Sequence, residues 1–330
     1  MSNESSINEF LLLGFSEVRE IQLVHFVIFL LIYLSALIGN ILIITAVATD
    51  PGLHSPMYFF LANLSVMDLG YISVTILKAM GNSLMNTRLI SYPECVIQVF
   101  FLFFFMASDY FLLTVMAYDR YVAICNPLHY EMVVNKEASI QMAAITWISG
   151  LFYATIHTGA TFAVPFCSNI INQFFCEIPQ LLKLSCSDLY LIEVAMLGFS
   201  ACLGLGCFGF IVVSYVEIFK TVFRIPTVQG REKAFSTCIP HLIVVFLFLS
   251  TGTFANLKPT SSIWVGLDRM ITMAYCVIPP LMNPIIYSMR NKEIKAVLWK
   301  LYYRSWSEPI KGKQNCVSLW HRIQSRHKNP

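Results

Sequence analysis

The sequence predicts an all-α membrane protein: a bundle of seven transmembrane helices followed by a short amphipathic helix on the membrane surface. Three observations predict it. Seven apolar runs of spanning length recur along the 330 residues. Only 12% of the chain is charged and 57% is hydrophobic, against roughly 25% charge in a soluble domain. A mean hydropathy of +0.66 fits a surface that faces lipid rather than water. Lastly, ten Lys and Arg follow the seventh run, from Arg290 to Lys328.

The runs lie at about 24–48, 57–80, 96–122, 140–163, 191–222, 237–257 and 270–289. Each is near or above the ~20 residues that cross a hydrocarbon core. Unsatisfied backbone is too costly in lipid, so the runs are predicted as helices. The alternation of a membrane barrel is absent. The segment 1–23 has no basic leader and no cleavage pattern, so the first run reads as an uncleaved anchor. Asn3-Glu4-Ser5 is a glycosylation sequon. Asn63-Leu64-Ser65 also matches but falls inside the second run.

Charge sets the orientation. Lys136, then Lys220, Arg224, Arg231 and Lys233, share one side with the basic tail. Arg19, Lys78, Arg88, Lys183, Lys258 and Arg269 lie opposite. The more positive side is cytoplasmic, which puts the N-terminus outside. The chain therefore divides into an extracellular segment 1–23, a membrane domain 24–290 and a cytoplasmic tail 291–330. Within the tail, NKEIKAVLWKLYYR alternates apolar and basic residues and predicts an amphipathic helix at about 291–303 on the lipid surface. A basic tail also suits nucleic acid, but one that follows directly on a membrane run argues against that partner.

Several residue clusters carry chemistry. Asp119-Arg120-Tyr121 ends the third run, where charge is costly and either anchors the helix or serves function. Of ten cysteines, Cys95, Cys167, Cys176 and Cys186 fall on the outer side, where disulfides persist. Four cysteines allow three pairings, and spacing does not choose. Asp68 and Asp109 lie within the second and third runs. They suit a water-bonded polar network or, with Asn283, a shared sodium ion. Pro279, Pro280 and Pro284 interrupt the seventh run and kink it. Phe100, Phe101, Phe103, Phe104 and Phe105 form packing or one wall of an apolar pocket. His157 and Asn256 could give such a pocket a polar contact. No nucleophile or substrate groove accompanies the paired carboxylates, so no enzyme is predicted.

Five ordered strings settle the family likeness: PMYFFLANLSVMD (56–68), MAYDRYVAICNPLHY (116–130), SY (214–215), KAFSTCIPHL (233–242) and NPIIYSMRN (283–291). The chain resembles the olfactory receptors among the rhodopsin-like G-protein-coupled receptors, over residues 7–302. Its loop pattern FC…FFCEIP…LSC looks like the tetrapod (class II) branch.

The resemblance implies the disulfides Cys95–Cys176 and Cys167–Cys186. It implies that Arg120 is held by Asp119 at rest and meets the G protein when released. Tyr215 and Tyr287 would be switch tyrosines, beside Tyr121, Asn283 and Pro284. The stretch from Lys233 to His241 would start the helix that swings outward. The family's ligand pocket maps onto Leu102, Phe103, Met106, Ala107, Phe199, Leu203, Leu249, Ala255, Asn256, Met273 and Cys276. Three residues depart from the family pattern. Asp109 replaces a Glu, Pro240 replaces a Ser, and Leu249 replaces a Tyr. The tail also runs longer.

The implied function is an odorant receptor. It would bind a small, largely apolar ligand in the outer half of the bundle and signal through a stimulatory G protein to cyclic AMP. The same fold could serve a non-volatile ligand outside the olfactory epithelium. A channel or transporter would want polar pore rings, broken paired helices or internal repeats, which the sequence lacks.

Overall fold

The computed structural model describes residues 7–14, 16, 18–186, 190–257, 265–301 and 303, with the side chains of 190–193, 254–257, 265 and 290 outside that description. Asn3 and the tail beyond 303 lie outside the described residues.

Among those residues, seven helices are long and apolar enough to cross a membrane. We label them α1 (Arg19–Thr49), α2 (Pro56–Met85), α3 (Tyr92–Cys125), α4 (Lys136–Phe162), α5 (Tyr190–Arg224), α6 (Val228–Leu257) and α7 (Val265–Arg290). Residues 292–301 form a further helix, α8. The expected seven-helix membrane fold is therefore the observed one.

Every long helix outruns its apolar stretch at one end or both. Hydropathy marks the lipid-facing length, whereas the helix continues until a cap stops it. Pro56 starts α2 with its ring in the first turn. Ser91 and Glu94 form a capping box on α3: the Ser91 hydroxyl accepts from the Glu94 amide, and the Glu94 carboxylate accepts from the Ser91 amide. The Asn135 side chain accepts from the Ala138 amide at 2.8 Å and caps α4. Asn86 ends α2 in the left-handed region, with φ 53°.

Small residues set the closest helix approaches. Gly70 on α2 receives the ring of Phe105, and Gly150 on α4 receives Ser108 and the Phe104 carbonyl. A side chain at either glycine would collide with α3. Thus α3 is wedged between α2 and α4. Pro240 sits inside an unbroken α6, and three prolines sit inside α7.

A small sheet not legible in the sequence crosses the disulfide-bearing end. Its strands are β1 (Glu9–Leu12), β2 (Leu89–Ser91) and β3 (Ile170–Ile171), in the order β2-β1-β3. Strand β1 runs antiparallel to β2 and parallel to β3. Strands of two to four residues leave too little alternation to read. Beneath them Phe10, Leu12, Ile90 and Ile171 are fully buried, packed with Cys95 and Cys176. The segment before the first span is thus partly built into the fold.

Candidate functional site

Two regions gather the functional candidates, one at each end of the bundle. At the far end from the sheet, the last turns of α3 bury Asp119 and Arg120, which are 1% and 7% exposed. Arg120 Nη2 lies 2.9 Å from Asp119 Oδ2, an ion pair off the direction of a linear hydrogen bond. The other carboxylate oxygen accepts from Tyr130, whose hydroxyl is 2.7 Å away. Tyr130 opens a short helical turn, Tyr130–Val133, just after α3. Burial, then the adjacent Asp119 carboxylate, push the Tyr130 phenol well above its ordinary value, so it stays a donor.

Next to this pair, Tyr215 of α5 and His241 of α6 are 2.8 Å apart through Nδ1. His241 Nε2 is 3.0 Å from the Leu113 carbonyl of α3. A carbonyl only accepts, so the ring proton sits on Nε2, and Tyr215 donates to Nδ1. One imidazole thereby ties α3, α5 and α6. On α7, Asn283, Pro284 and Tyr287 are all buried. Tyr121 is half-buried, and Lys233 is exposed at the start of α6. The structure also links α8 to the bundle: the Tyr58 hydroxyl lies 2.6 Å from Glu293 Oε2 and bonds Asn291. Lys300 reaches Asp50 at 3.3 Å. The Gly52 amide, then Lys300, hold the Asp50 carboxyl below its usual range.

At the sheet-bearing end, the chain has disulfides between Cys95 and Cys176 and between Cys167 and Cys186. The first ties the loop before α5 to α3. It places Phe174 and Phe175 in a buried cluster with Phe29, Ile72, Leu102 and Cys276. Phe103, Met106 and Met273 pack on the same cluster. So five of the pocket candidates, Leu102, Phe103, Met106, Met273 and Cys276, come together under an aromatic plug. Ala107 is also buried. Leu249 packs instead on the cluster at the Arg120 end. Phe199 and Leu203 on α5 are about one-third exposed. The side chains of Ala255 and Asn256 lie outside the described residues. A cavity of about 390 Å³ opens between α6 and α7, lined by Ser250, Thr251, Met270, Ile271, Ala274 and Tyr275. It lies beside the candidates in sequence rather than among them.

A family model described as "Olfactory receptor" matches residues 29–305. Human olfactory receptor 14I1 is 50% identical over 92% of this chain and 98% of its own length. Human olfactory receptors 14C36 and 14A16 are 49% and 47% identical, over 92% and 95% of this chain and 98% and 99% of theirs.

The chain belongs to the olfactory receptor family. It is accordingly a multi-pass membrane receptor and not an enzyme. In this olfactory receptor the buried carboxylates Asp68 and Asp109 sit on neighbouring helices. Asn283 Nδ2 donates to both oxygens of Asp68, at 3.2 and 2.9 Å. Among the described residues, Asp109 Oδ1, Asn283 Oδ1 and Ser108 Oγ have no hydrogen-bond partner. Orphaned buried oxygens of this kind suit a hard cation or water.

Four groups escaped the sequence reading of this olfactory receptor. Tyr130 lay inside a quoted string with no role attached. Asn40 is an amide inside the first apolar run, which is itself a signal. Ser200 and Tyr153 surround His157 and look unremarkable alone. Glu177 is a buried carboxylate, 4% exposed, whose Oε2 is 3.3 Å from the Tyr275 hydroxyl. Its position directly after Cys176 could have flagged it, because the disulfide pins that residue to the bundle.

Proposed function

We propose that this olfactory receptor binds small, neutral, largely apolar odorants at its disulfide end and couples them to a stimulatory G protein at its Arg120 end, raising cyclic AMP. The basic residues of the tail and of the loops on its side support a cytoplasmic Arg120 end and an extracellular sheet. On this reading residues 1–23 are extracellular and carry a glycan at Asn3. Residues 24–290 span the membrane, 291–330 face the cytoplasm, and the amphipathic helix at about 291–303 lies on lipid.

The observation that carries the ligand reading is the buried cluster of Leu102, Phe103, Met106, Met273 and Cys276 beneath Phe174 and Phe175. Its walls offer apolar area, worth ~25 cal/mol per Å² covered. One hydrogen bond adds only ~0.5–1.5 kcal/mol. Affinity then tracks ligand shape and carbon count. The pocket candidates Ala107, Phe199, Leu203, Ala255 and Asn256 complete the proposed wall, and Leu249 would form its floor toward the Arg120 end.

Coupling is proposed to run through Asp119, Arg120, Tyr121, Tyr215, Lys233, His241, Asn283, Pro284 and Tyr287. A ligand that binds one arrangement of these groups better shifts their equilibrium. Asp68, Asp109 and Asn283 would hold a structural sodium ion in the resting state.

A cyclic-AMP reporter in cells, challenged with matched alcohol, ketone and amine series, tests the reading. Responses that rise with apolar area and show no amine advantage are expected. An amine preference that disappears in Glu177→Gln would refute a neutral pocket.

A further inference from the structure

The helix α4 buries His157, only 7% exposed, in a nest of aromatic rings. Phe103 stacks on it at 5.3 Å and 20°, Tyr153 lies at 4.2 Å, and Phe199 lies at 6.3 Å. Phe103 and Phe199 are two of the proposed pocket residues. The imidazole therefore sits where α3, α4 and α5 meet the ligand wall.

The protonation of this ring follows from its neighbour. Ser200 Oγ makes three contacts: Met196 O at 2.8 Å, Tyr153 Oη at 2.9 Å and His157 Nε2 at 3.1 Å. A hydroxyl has one proton and two lone pairs. The Met196 carbonyl can only accept, so the Ser200 proton goes there. Tyr153 then donates to Ser200, and the third contact requires His157 to donate from Nε2. All three bonds hold together only in that arrangement. No carboxylate is among the ring's contacts, so a neutral imidazole keeps its one proton on Nε2. Nδ1 is then an acceptor, and among the described residues no donor is bonded to it.

We propose that His157 Nδ1 is the polar anchor of the ligand site and reads a hydrogen-bond donor, so that the preferred ligands are small hydrophobic alcohols rather than their carbonyl or ether counterparts. The inference rests on the odorant-site reading above and names its ligand class. Tyr153 and Ser200 act as positioning residues: they fix which ring nitrogen is bare. An apolar alcohol would lay its carbon skeleton against Phe103 and Phe199 and donate its hydroxyl proton to Nδ1. An aldehyde, ketone or methyl ether of the same skeleton gains the apolar contact but has no proton to offer, and leaves Nδ1 without a donor.

The test uses the full-length receptor in reporter cells, with surface staining of every variant. The probes are alcohol, ketone and methyl-ether triples on linear, branched, cyclic and aromatic skeletons. The alcohol of a responding triple should act at roughly threefold to tenfold lower concentration, the range one net hydrogen bond supports. His157→Phe should abolish that preference, so that the alcohol, ketone and ether of a triple act at the same concentration. His157→Gln retains an acceptor and a donor and should preserve it. Ser200→Ala releases the tautomer and should shrink it. Should His157→Phe fail to reach the surface, the Gln and Ala variants carry the comparison.

If His157→Phe or Ser200→Ala weakens all three classes equally, His157 is a helix tether only and the proposal fails. It fails too if the alcohol preference survives His157→Phe, or if ketones are preferred in the unmodified receptor. Either of those results leaves the odorant-site reading standing. A receptor at the surface that answers no probe on any skeleton overturns that reading, and this proposal with it.

Discussion

Asn40 of α1 donates to the carbonyl of Pro280 on α7 at 2.9 Å. That carbonyl would ordinarily accept from the amide four residues on, which is Pro284 and has no N–H. Pro284 in α7 thus frees an acceptor, and a buried amide from another helix meets it. Gly39 alongside permits the approach, since a Cβ there would sit 3.1 Å from Pro284 Cβ.

Asn40→Ala leaves this buried carbonyl without its side-chain donor. The cost of a buried unsatisfied group is ~1–3 kcal/mol. Purified protein should unfold at a lower temperature, and surface level should fall. An unchanged unfolding midpoint would show that some other donor serves Pro280.

Arg120→Ala should abolish agonist-driven cyclic AMP while sparing much of the surface expression. Tyr130→Phe should do the opposite to the resting state. It removes the 2.7 Å bond to Asp119, so the carboxylate holds Arg120 less firmly and basal signalling rises. Reporter assays at matched surface level decide. Full signalling by Arg120→Ala would sink the coupling assignment.

His241→Phe cuts both bonds that tie α3, α5 and α6. Basal cyclic AMP should rise and thermal stability should drop. Tyr215→Phe removes only one bond and should show a smaller stability loss. Equal losses would mean the Leu113 contact contributes little.

The sodium reading predicts that the purified receptor melts higher in sodium chloride than in choline chloride. Asp68→Asn and Asp109→Asn should each erase the difference. Identical melting of the unmodified receptor in the two salts would leave only a water network around these carboxylates.

Cys95→Ser or Cys176→Ser opens a long loop and should prevent surface delivery. A disulfide contributes ~2–4 kcal/mol, large against the margin of a folded protein. It also holds Phe174 and Phe175 in place. A variant that still reaches the surface should therefore lose odorant responses. Normal trafficking and normal responses together would contradict both roles.

The sequence by itself determined the fold and the family. Apolar length dictates a membrane helix wherever backbone polar groups have no water, and seven such lengths predict a seven-helix bundle. The five ordered strings fixed the family because each sits at its own span. Only the tertiary structure decided which distant groups meet. Asn40 finds Pro280, Tyr130 finds Asp119, and Ser200 fixes the proton of His157, each across a helix boundary that periodicity does not encode. The same holds for the sheet over the disulfide end, whose strands come from three separate segments. It holds as well for Glu177, carried next to Tyr275 by a loop. Local propensity acts over a few residues, while these contacts are set by how seven helices and their loops pack. That packing depends on small residues such as Gly70 and Gly150, whose effect is visible only against the helix they admit.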